Sequence, residues 1–403
     1  MFWVMNYASI VPLIGGETIA MQNVFGKKPE YILSYEAFAN NDKHLLDHYG
    51  GNVPYQLLDG DGVSQLNANR VDVVNTVCPC AGLSSLSPSS ASDSVTNDWM
   101  LHTSKLILES VQPKVFWGEN APRLASKMGS PVVERLRKVA RENGYTFSIY
   151  KTKSILHGLS QVRDRTFYFF WKGDSVPVFP YIKKDHEKIE ETIRSVKRDR
   201  KDPMSQVLTN KRVPSENPFY RYVLQEIEGG ITHQEFAAKI EKTTNPLDYI
   251  ESHKITYLEV GKWMKAHGYE REEAKCKRMY EKLASGGNIM RKNTEIPKDY
   301  IGAFVGHMPT SLTHPDEDRY LTIRECLSIM KMPEDFQLQG GLSNLNHICQ
   351  NVPVSTAMDM AKSIRDHLDG KLDTIETDFL VQDNKSQTLE YNKESLQLDE
   401  FMV

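Results

Sequence analysis

The chain has 403 residues, of which 40% are hydrophobic and 25% are charged, a composition typical of a globular protein large enough for two domains. No apolar run is long enough to span a bilayer, and residues 4–13 lack the basic flank of a signal peptide, so we expect no membrane partner. Five cysteines, mostly scattered, indicate a reducing compartment without disulfides. With a net charge of −4, binding to nucleic acid would require a local basic surface.

Short apolar runs alternate with helical patterns over the first 172 residues. Strands are predicted at 9–14, 31–35, 72–77, 114–117 and 166–171. Helices are predicted at 17–25, 101–111 and 132–143. This alternation predicts an α/β domain with a doubly wound, mostly parallel sheet that carries helices on both faces.

Several residues suited to ligand binding or chemistry follow the predicted strands. Gly15-Gly16, Glu36, Cys80 and Glu119 each stand at or just beyond the end of a strand. Because ligands of doubly wound sheets bind at the carboxyl ends of the strands, we expect these positions to share one site.

The alternation stops between residues 173 and 312, where the charge rises and prolines interrupt the chain. The helices predicted in this second, smaller domain are 231–242, 257–266 and 271–283. Residues 313–372 return to the pattern of the first domain, with helices at 323–330 and 355–368. The polar, acidic segment 373–403 is predicted to be a flexible tail.

A basic segment at 183–201 contains many lysines and arginines among fewer acidic residues. It is either a solvated, mixed-charge helix or a surface that contacts DNA phosphates. Residues 231–240 faintly resemble the start of a helix-turn-helix, although a plain amphipathic helix is the better interpretation.

Five short motifs follow one another along the chain. They are Pro79-Cys80-Ala81-Gly82-Leu83-Ser84, Glu119-Asn120-Ala121, Gln161-Val162-Arg163-Asp164-Arg165, the segment 319–336, and Gln350-Asn351-Val352-Pro353-Val354. In this order and with this spacing they resemble the signature blocks of the cytosine-C5 DNA methyltransferases. The resemblance covers residues 8–172 and 313–368, and the ordered set is far more specific than any one motif.

The resemblance implies a Rossmann-like methyltransferase sheet formed by 1–172 and 313–372, with a target-recognition domain at 173–312. It also implies methyl transfer from S-adenosyl-L-methionine to C5 of a cytosine flipped out of double-stranded DNA. In that chemistry the thiolate of Cys80 adds to C6 of the base, which makes C5 nucleophilic.

Six further residues are assigned by the same resemblance to the base pocket and its loop. Glu119 would contact N3 and the exocyclic amine of the cytosine, and Arg165 would hold its O2. Arg163, counted with the catalytic residues, and Gln161 would support the pocket. The residues expected to shape the substrate loop, which continues to residue 97, are Pro79 and Ser84.

The residues that the resemblance implies for binding the donor are Ile14, Gly15, Gly16, Glu36, Asp61, Asn351 and Val354. Gly15-Gly16 would let the backbone approach the ligand, and Glu36 would bind the ribose hydroxyls. Asp61 or Asp59 would bind the adenine amine, and the sequence leaves both open.

The chain departs from the family pattern in the first block, which usually reads Phe-x-Gly-x-Gly. Val11 stands at the aromatic position and Leu13 at the first glycine, so that a stacking surface and a flexible backbone point are lost. Ala81 replaces the usual Gln, and Gln350 the usual Gly.

Two alternative functions remain open from the sequence. One is a transfer-RNA cytosine methyltransferase of the same family, and the other is a DNA-binding protein whose donor site is degenerate. The enzyme is expected to be a monomer in the cytoplasm of a bacterium or a phage-infected cell. No metal is expected, because Cys78 and Cys80 are too close for the usual zinc spacing.

Overall fold

The computed structural model describes residues 5–58, 70–77, 83, 94–209, 213–289, 291, 294–306 and 308–391. The chain forms two units. The first comprises Met1–His186, Met330–Gln339 and Gln350–Val403, and the second comprises Glu187–Ile329 and Gly340–Cys349. The observed boundaries after His186 and Ile329 differ from those expected after 172 and 312.

The strands are β1 (Tyr7–Ile10), β2 (Ile32–Ser34), β3 (Tyr55–Leu57), β4 (Val73–Thr76), β5 (Val115–Asn120), β6 (Tyr145–Lys153), β7 (Asp164–Lys172), β8 (Ser175–Pro177), β9 (Thr374–Glu376), β10 (Phe379–Asp383) and β11 (Thr388–Tyr391). The helices are α1 (Gly16–Phe25), α2 (Ala39–His48), α3 (Val95–Ser110), α4 (Ser130–Glu142), α5 (Ile189–Ser195), α6 (Pro218–Tyr222), α7 (His233–Lys239), α8 (Pro246–Ser252), α9 (Tyr257–Ala266), α10 (Glu270–Ala284), α11 (Ile323–Ile329), α12 (Leu345–Gln350) and α13 (Val354–Leu368).

In the described part of the first unit, nine strands form one mixed sheet, in the order β11-β10-β6-β7-β5-β4-β1-β2-β3. The successive pairs β3–β2, β2–β1, β1–β4 and β4–β5 are parallel, whereas β7 pairs antiparallel with both β5 and β6. The predicted α/β fold with a doubly wound sheet is therefore confirmed. The central strands β1, β4 and β5 are buried throughout, as expected for parallel strands covered on both faces.

Aromatic side chains hold the antiparallel half of the sheet together. Phe116 of β5 stacks on Phe170 of β7 with ring centres 5.5 Å apart, and Phe147 of β6 meets Phe170 edge to face at 4.9 Å. All three rings are fully buried, and each contributes about 2–3 kcal/mol by its removal from water. This packing fixes the strands whose ends carry Glu119 and Arg165.

The segment 374–391 is ordered, so the predicted flexible tail is wrong for these residues. β10 pairs in parallel with β6, and β11 pairs antiparallel with β10. Polar side chains of this segment bond inside the unit: Gln382 accepts a hydrogen bond from the backbone N–H of Phe179 at 3.0 Å, and Asn384 accepts one from that of Ile182 at 2.7 Å. A polar composition was therefore compatible with a place in the sheet. Residues 392–403 lie outside the described residues.

The second unit is built from short helices around an aromatic core. Tyr220 and Phe236 meet edge to face, as do Tyr222 and Trp263. The helix predicted at 257–266 is observed with these bounds, because Thr256 begins it with a reciprocal capping box. None of the helices in the described part of either unit is both long and apolar enough to cross a membrane.

Candidate active site

The carboxyl ends of β1, β2, β4 and β5 lie at one edge of the sheet, because these strands run in the same direction. Glu119 lies near the end of β5, and Glu36 follows β2. The chain that leads to the predicted nucleophile also leaves from this edge, since β4 ends at Thr76. The predicted residues that lie outside the described part of the chain are Asp59, Asp61, Pro79, Cys80 and Ser84.

Glu119 and Arg165 form a buried ion pair across the neighbouring strands β5 and β7. The Nε atom of Arg165 contacts Oε1 of Glu119, and the two side chains are only 13% and 5% exposed. The Arg165 guanidinium also donates from Nη1 to the carbonyl of Asp164 at 2.9 Å. A carboxyl and a guanidinium side by side can bind the polar edge of a planar ring. The structure thus brings together two residues that the sequence placed in one pocket.

The connection between β6 and β7 carries Gln161 and Arg163, and both are buried. The carbonyl of Arg163 accepts a hydrogen bond from the N–H of Ser154 at 2.9 Å, which closes the connection on itself. Nε2 of Gln161 donates to Sδ of Met330 at 3.3 Å. Because the side chains of Gln161 and Arg163 are almost completely buried, a role in supporting Arg165 is favoured for both.

A buried polar network that sequence reasoning missed anchors the same connection. His157 hydrogen-bonds through Nδ1 to Asp359 of α13 at 2.9 Å and through Nε2 to Thr152 of β6 at 2.7 Å. Lys184 donates to the other oxygen of Asp359. Burial opposes ionisation of Asp359, but hydrogen bonds from His157 and Lys184 outweigh it and hold the pKa of this carboxyl below its usual value. The network joins β6, α13 and the Arg163 connection.

The glycine pair of the first block is required by the packing of the chain itself. Gly15 has φ +93°, and a Cβ atom there would lie 2.4 Å from Cδ1 of Leu45. The N–H of Gly16 donates to Oδ1 of Asn351 at 2.9 Å, which joins the first and last blocks of the family pattern. A Cβ atom on Gly16 would lie 2.0 Å from the carbonyl oxygen of Val352. Close backbone approach at Gly15 and Gly16 is therefore made to other parts of the chain.

We expect Gly16→Ala to lower the free energy of unfolding by about 2–3 kcal/mol, because the added methyl group meets a backbone carbonyl that cannot turn aside. Urea denaturation measures the change. The matched control is Gly302→Ala, where the nearest atom to the new Cβ is 3.9 Å away. Equal stability of the two variants would show that the Gly16–Val352 approach is not tight.

The two departures from the family's first block adopt a backbone conformation that favours glycine. Val11 has φ +49° and Leu13 has φ +54°, each a strained value for a residue with a side chain. The carboxyl of Asp42 accepts a hydrogen bond from the backbone of Leu13, and burial raises the pKa of Asp42 to about 7. The loop therefore has a left-handed backbone at Leu13, the position where the family pattern has its first glycine.

Ile14 and Val354, which the sequence also assigns to the donor site, are buried, as is Asn351. Glu36 is exposed just beyond the end of β2. Beside it lies a cluster of aromatic rings in which Trp99 contacts Tyr35 at 4.6 Å and Phe38 at 5.5 Å between ring centres. Trp99 and Phe38 are half-buried, so the cluster offers a partly open aromatic surface at this edge of the sheet.

Glu17, the first residue after the glycine pair, has a fully buried carboxyl group. Burial, and secondly the nearby charge of Glu119, hold the pKa of Glu17 well above its ordinary value. No sequence pattern singles out this residue, because a glutamate in the first turn of a helix is usually an exposed partner of the helix dipole.

The family described as C-5 cytosine-specific DNA methylase matches residues 5–366. The Type II methyltransferase M.PspPI of Psychrobacter is 24% identical over 73% of this chain, and the match spans 64% of that protein. M.Eco47II of Escherichia coli, also a Type II methyltransferase, is 22% identical over 81% of this chain and 72% of its own length.

A solved structure shares the fold. It is a protein from an Escherichia coli prophage, described as a DNA modification methyltransferase, which superposes with a TM-score of 0.57 at 14% identity. The superposition covers 91% of this chain and 99% of the other. At this identity the likeness concerns the fold alone.

Proposed function

The chain belongs to the family of C-5 cytosine-specific DNA methylases, and we propose that it transfers a methyl group from S-adenosyl-L-methionine to C5 of cytosine in double-stranded DNA. The observation that carries the proposal is the buried Glu119–Arg165 pair at the same sheet edge as the Gly15-Gly16 loop. One side of that edge offers polar groups for a base, and the other offers a tight loop for a nucleotide-like donor.

Glu119 and Arg165 match the polar edge of a cytosine. The carboxyl group, when it holds a proton, can donate to N3 while its other oxygen accepts from the exocyclic amine, and the guanidinium can donate to O2. Their mutual contact keeps both side chains in position before the base arrives. Cys80, on the connection after β4, is the proposed nucleophile that adds to C6.

The residues at the sheet edge fit the proposed donor. S-adenosyl-L-methionine supplies an electrophilic methyl group on a sulfonium. Glu36 is exposed where ribose hydroxyls would lie in related folds. The half-buried rings of Phe38 and Trp99 offer a stacking surface that the buried Val11 cannot. These residues would bind and orient the donor.

The first unit carries the catalytic residues, and we assign target recognition to the second unit. The basic segment 183–201, which lies in the second unit from Glu187 onward, includes α5. There, Nε of Arg194 donates to Oδ2 of Asp316 at 2.8 Å. Lys197, Arg198 and Arg200 are exposed beyond this helix. Arg198 makes only a loose contact of 3.8 Å with Glu317. These three cations can therefore turn to DNA phosphates at little cost.

Replacing Lys197, Arg198 and Arg200 together with alanine should weaken DNA binding and reduce the slope of log K against log salt concentration by about 2–3, since each phosphate contact contributes about 0.9. Binding titrations at several salt concentrations measure the slope. The matched control removes the three exposed cations Arg271, Lys277 and Arg278 of α10. If the two triple variants change the slope equally, the segment is not a specific DNA surface.

The acceptor is tested with labelled donor, duplex DNA and transfer RNA. We expect label in DNA and competition by unlabelled duplex alone. Label in transfer RNA instead would favour the RNA branch of the family. Donor binding without label in either acceptor would indicate that the protein only recognises nucleic acid.

A further inference from the structure

The carboxyl group of Glu17 is the least satisfied acid at the candidate site. The residue is 0% exposed, and neither carboxyl oxygen has a hydrogen-bond partner among the residues that the structure describes. The amide of Asn75 on β4 lies close, but its nitrogen also makes no hydrogen bond of normal geometry. Buried polar groups are nearly always paired, and an exception in a native fold asks for an explanation.

Among the residues that the structure describes, no lysine or arginine forms an ion pair with Glu17. From β5 it faces the carboxyl of Glu119, a second acid whose charge is already engaged by Arg165 of β7. From β4 it faces the neutral Asn75, whose oxygen is occupied by Ser9 at 2.7 Å. An ionised carboxylate here would be desolvated and repelled, so Glu17 holds a proton in the free protein.

The position of Glu17 joins the two halves of the site. It directly follows Gly15-Gly16, the loop proposed for the donor, and the charge of Glu119, the residue proposed to bind the base, helps to raise the pKa of Glu17. The reactive methyl group must pass between donor and base, so its sulfonium has to be held close to both. Binding of the donor would thus bring the positive charge of the sulfonium close to the Glu17 carboxyl, which has no hydrogen-bond partner among the described residues.

We propose that Glu17 is the counter-charge for the sulfonium of the donor: it releases its proton to solvent when the cationic donor binds and takes a proton back when the donor becomes a neutral thioether. This inference rests on the proposed function and names a specificity residue within it. The proton balance is simple, because one proton passes from the Glu17 carboxyl to the buffer on binding and one returns after transfer.

The proposed role of Glu17 predicts different proton release on binding of two ligands that are otherwise alike. S-adenosyl-L-methionine and the product S-adenosyl-L-homocysteine share the adenosine, the carboxylate and the ammonium group, and they differ in the sulfonium methyl. Any proton released through the shared groups appears with both ligands. The difference in proton release between the two ligands therefore reports only on the group that responds to the sulfonium.

The experiment is isothermal titration calorimetry of the full chain with each ligand, in two buffers of different ionisation enthalpy. The wild type should release close to one proton more with the methionine compound than with the homocysteine compound. Its dissociation constant for the methionine compound should fall by up to about tenfold for each pH unit raised, while that for the homocysteine compound should stay flat.

Glu17→Gln should abolish the difference in proton release. It should also weaken binding of the methionine compound by about tenfold or more while leaving binding of the homocysteine compound within twofold. Glu109→Gln, an exposed acid of α3, is the matched control and should behave as the wild type. Retained binding of the homocysteine compound shows that the Glu17 variant is folded.

Two outcomes would overturn the inference while leaving the function intact. One is binding of the methionine compound by the wild type without extra proton release. The other is extra release that persists in Glu17→Gln, which would place the source of the proton in another group. Failure of the wild type to bind either compound would instead remove the proposed donor, and the inference with it.

Discussion

Cys80→Ala should lower methyl transfer to duplex DNA by about 10⁵-fold or more, to below detection, because removal of a catalytic nucleophile leaves no route through a covalent intermediate. Cytosine C5 is a weak nucleophile until a group adds to C6, and no other proposed site residue can do so. Bisulfite sequencing of DNA from cells that express the variant measures the loss. Cytosines in a fixed sequence context should be protected only in cells that express the wild type.

The matched control for Cys80 is Cys276→Ala, at a buried cysteine of α10 in the second unit. It should keep the wild-type pattern of protected cytosines. Donor binding by the Cys80 variant should also be unchanged, which separates loss of chemistry from loss of fold. Continued protection in cells with the Cys80 variant would rule out the covalent mechanism.

Glu119→Gln should reduce kcat by about 10²–10³-fold and leave donor affinity nearly unchanged. A glutamine has the same shape and can still hydrogen-bond to N3 and to the exocyclic amine, so the base can still bind. It cannot share a proton with N3 as charge develops on the ring. Single-turnover kinetics with saturating DNA measure the chemical step directly.

Glu142→Gln is the control for that experiment, because Glu142 is an exposed acid at the end of α4. We expect wild-type kinetics from it. A near-normal kcat for Glu119→Gln would mean that the Glu119–Arg165 pair orders the strands without entering the reaction.

Four strands of the parallel half, β1, β2, β4 and β5, could be predicted from the sequence because they lie in apolar runs between helices, whereas the short, half-buried β3 was missed. The antiparallel half could be predicted only in part. β6 was missed because its nine residues include Thr146, Ser148 and Thr152, whose polar side chains are nonetheless buried. Their hydroxyl groups are satisfied inside the unit, as when Ser148 accepts from Trp171 at 2.8 Å. Composition cannot foresee such partners, since they come from distant parts of the chain.

The residues of the candidate site could likewise be predicted only in part. The residues found from motifs, Glu119 and Arg165, lie together as the order of the blocks suggested. Glu17 and His157 have no motif, and their character depends on burial and on neighbours from other elements. A carboxyl group becomes unusual only when the fold removes its water, and that is a property of the three-dimensional arrangement.

The place of β10 in the sheet has a consequence for the synthesis of the protein. β6 is made early, but its parallel neighbour β10 comes more than 200 residues later, after the whole second unit. While the ribosome works through those residues, the nascent chain presents β6 as an open edge with unpaired backbone groups, a template for pairing with other chains. The late arrival of β10 closes this edge. A messenger truncated before it would therefore yield a product prone to aggregation, even though every proposed catalytic residue had already been translated.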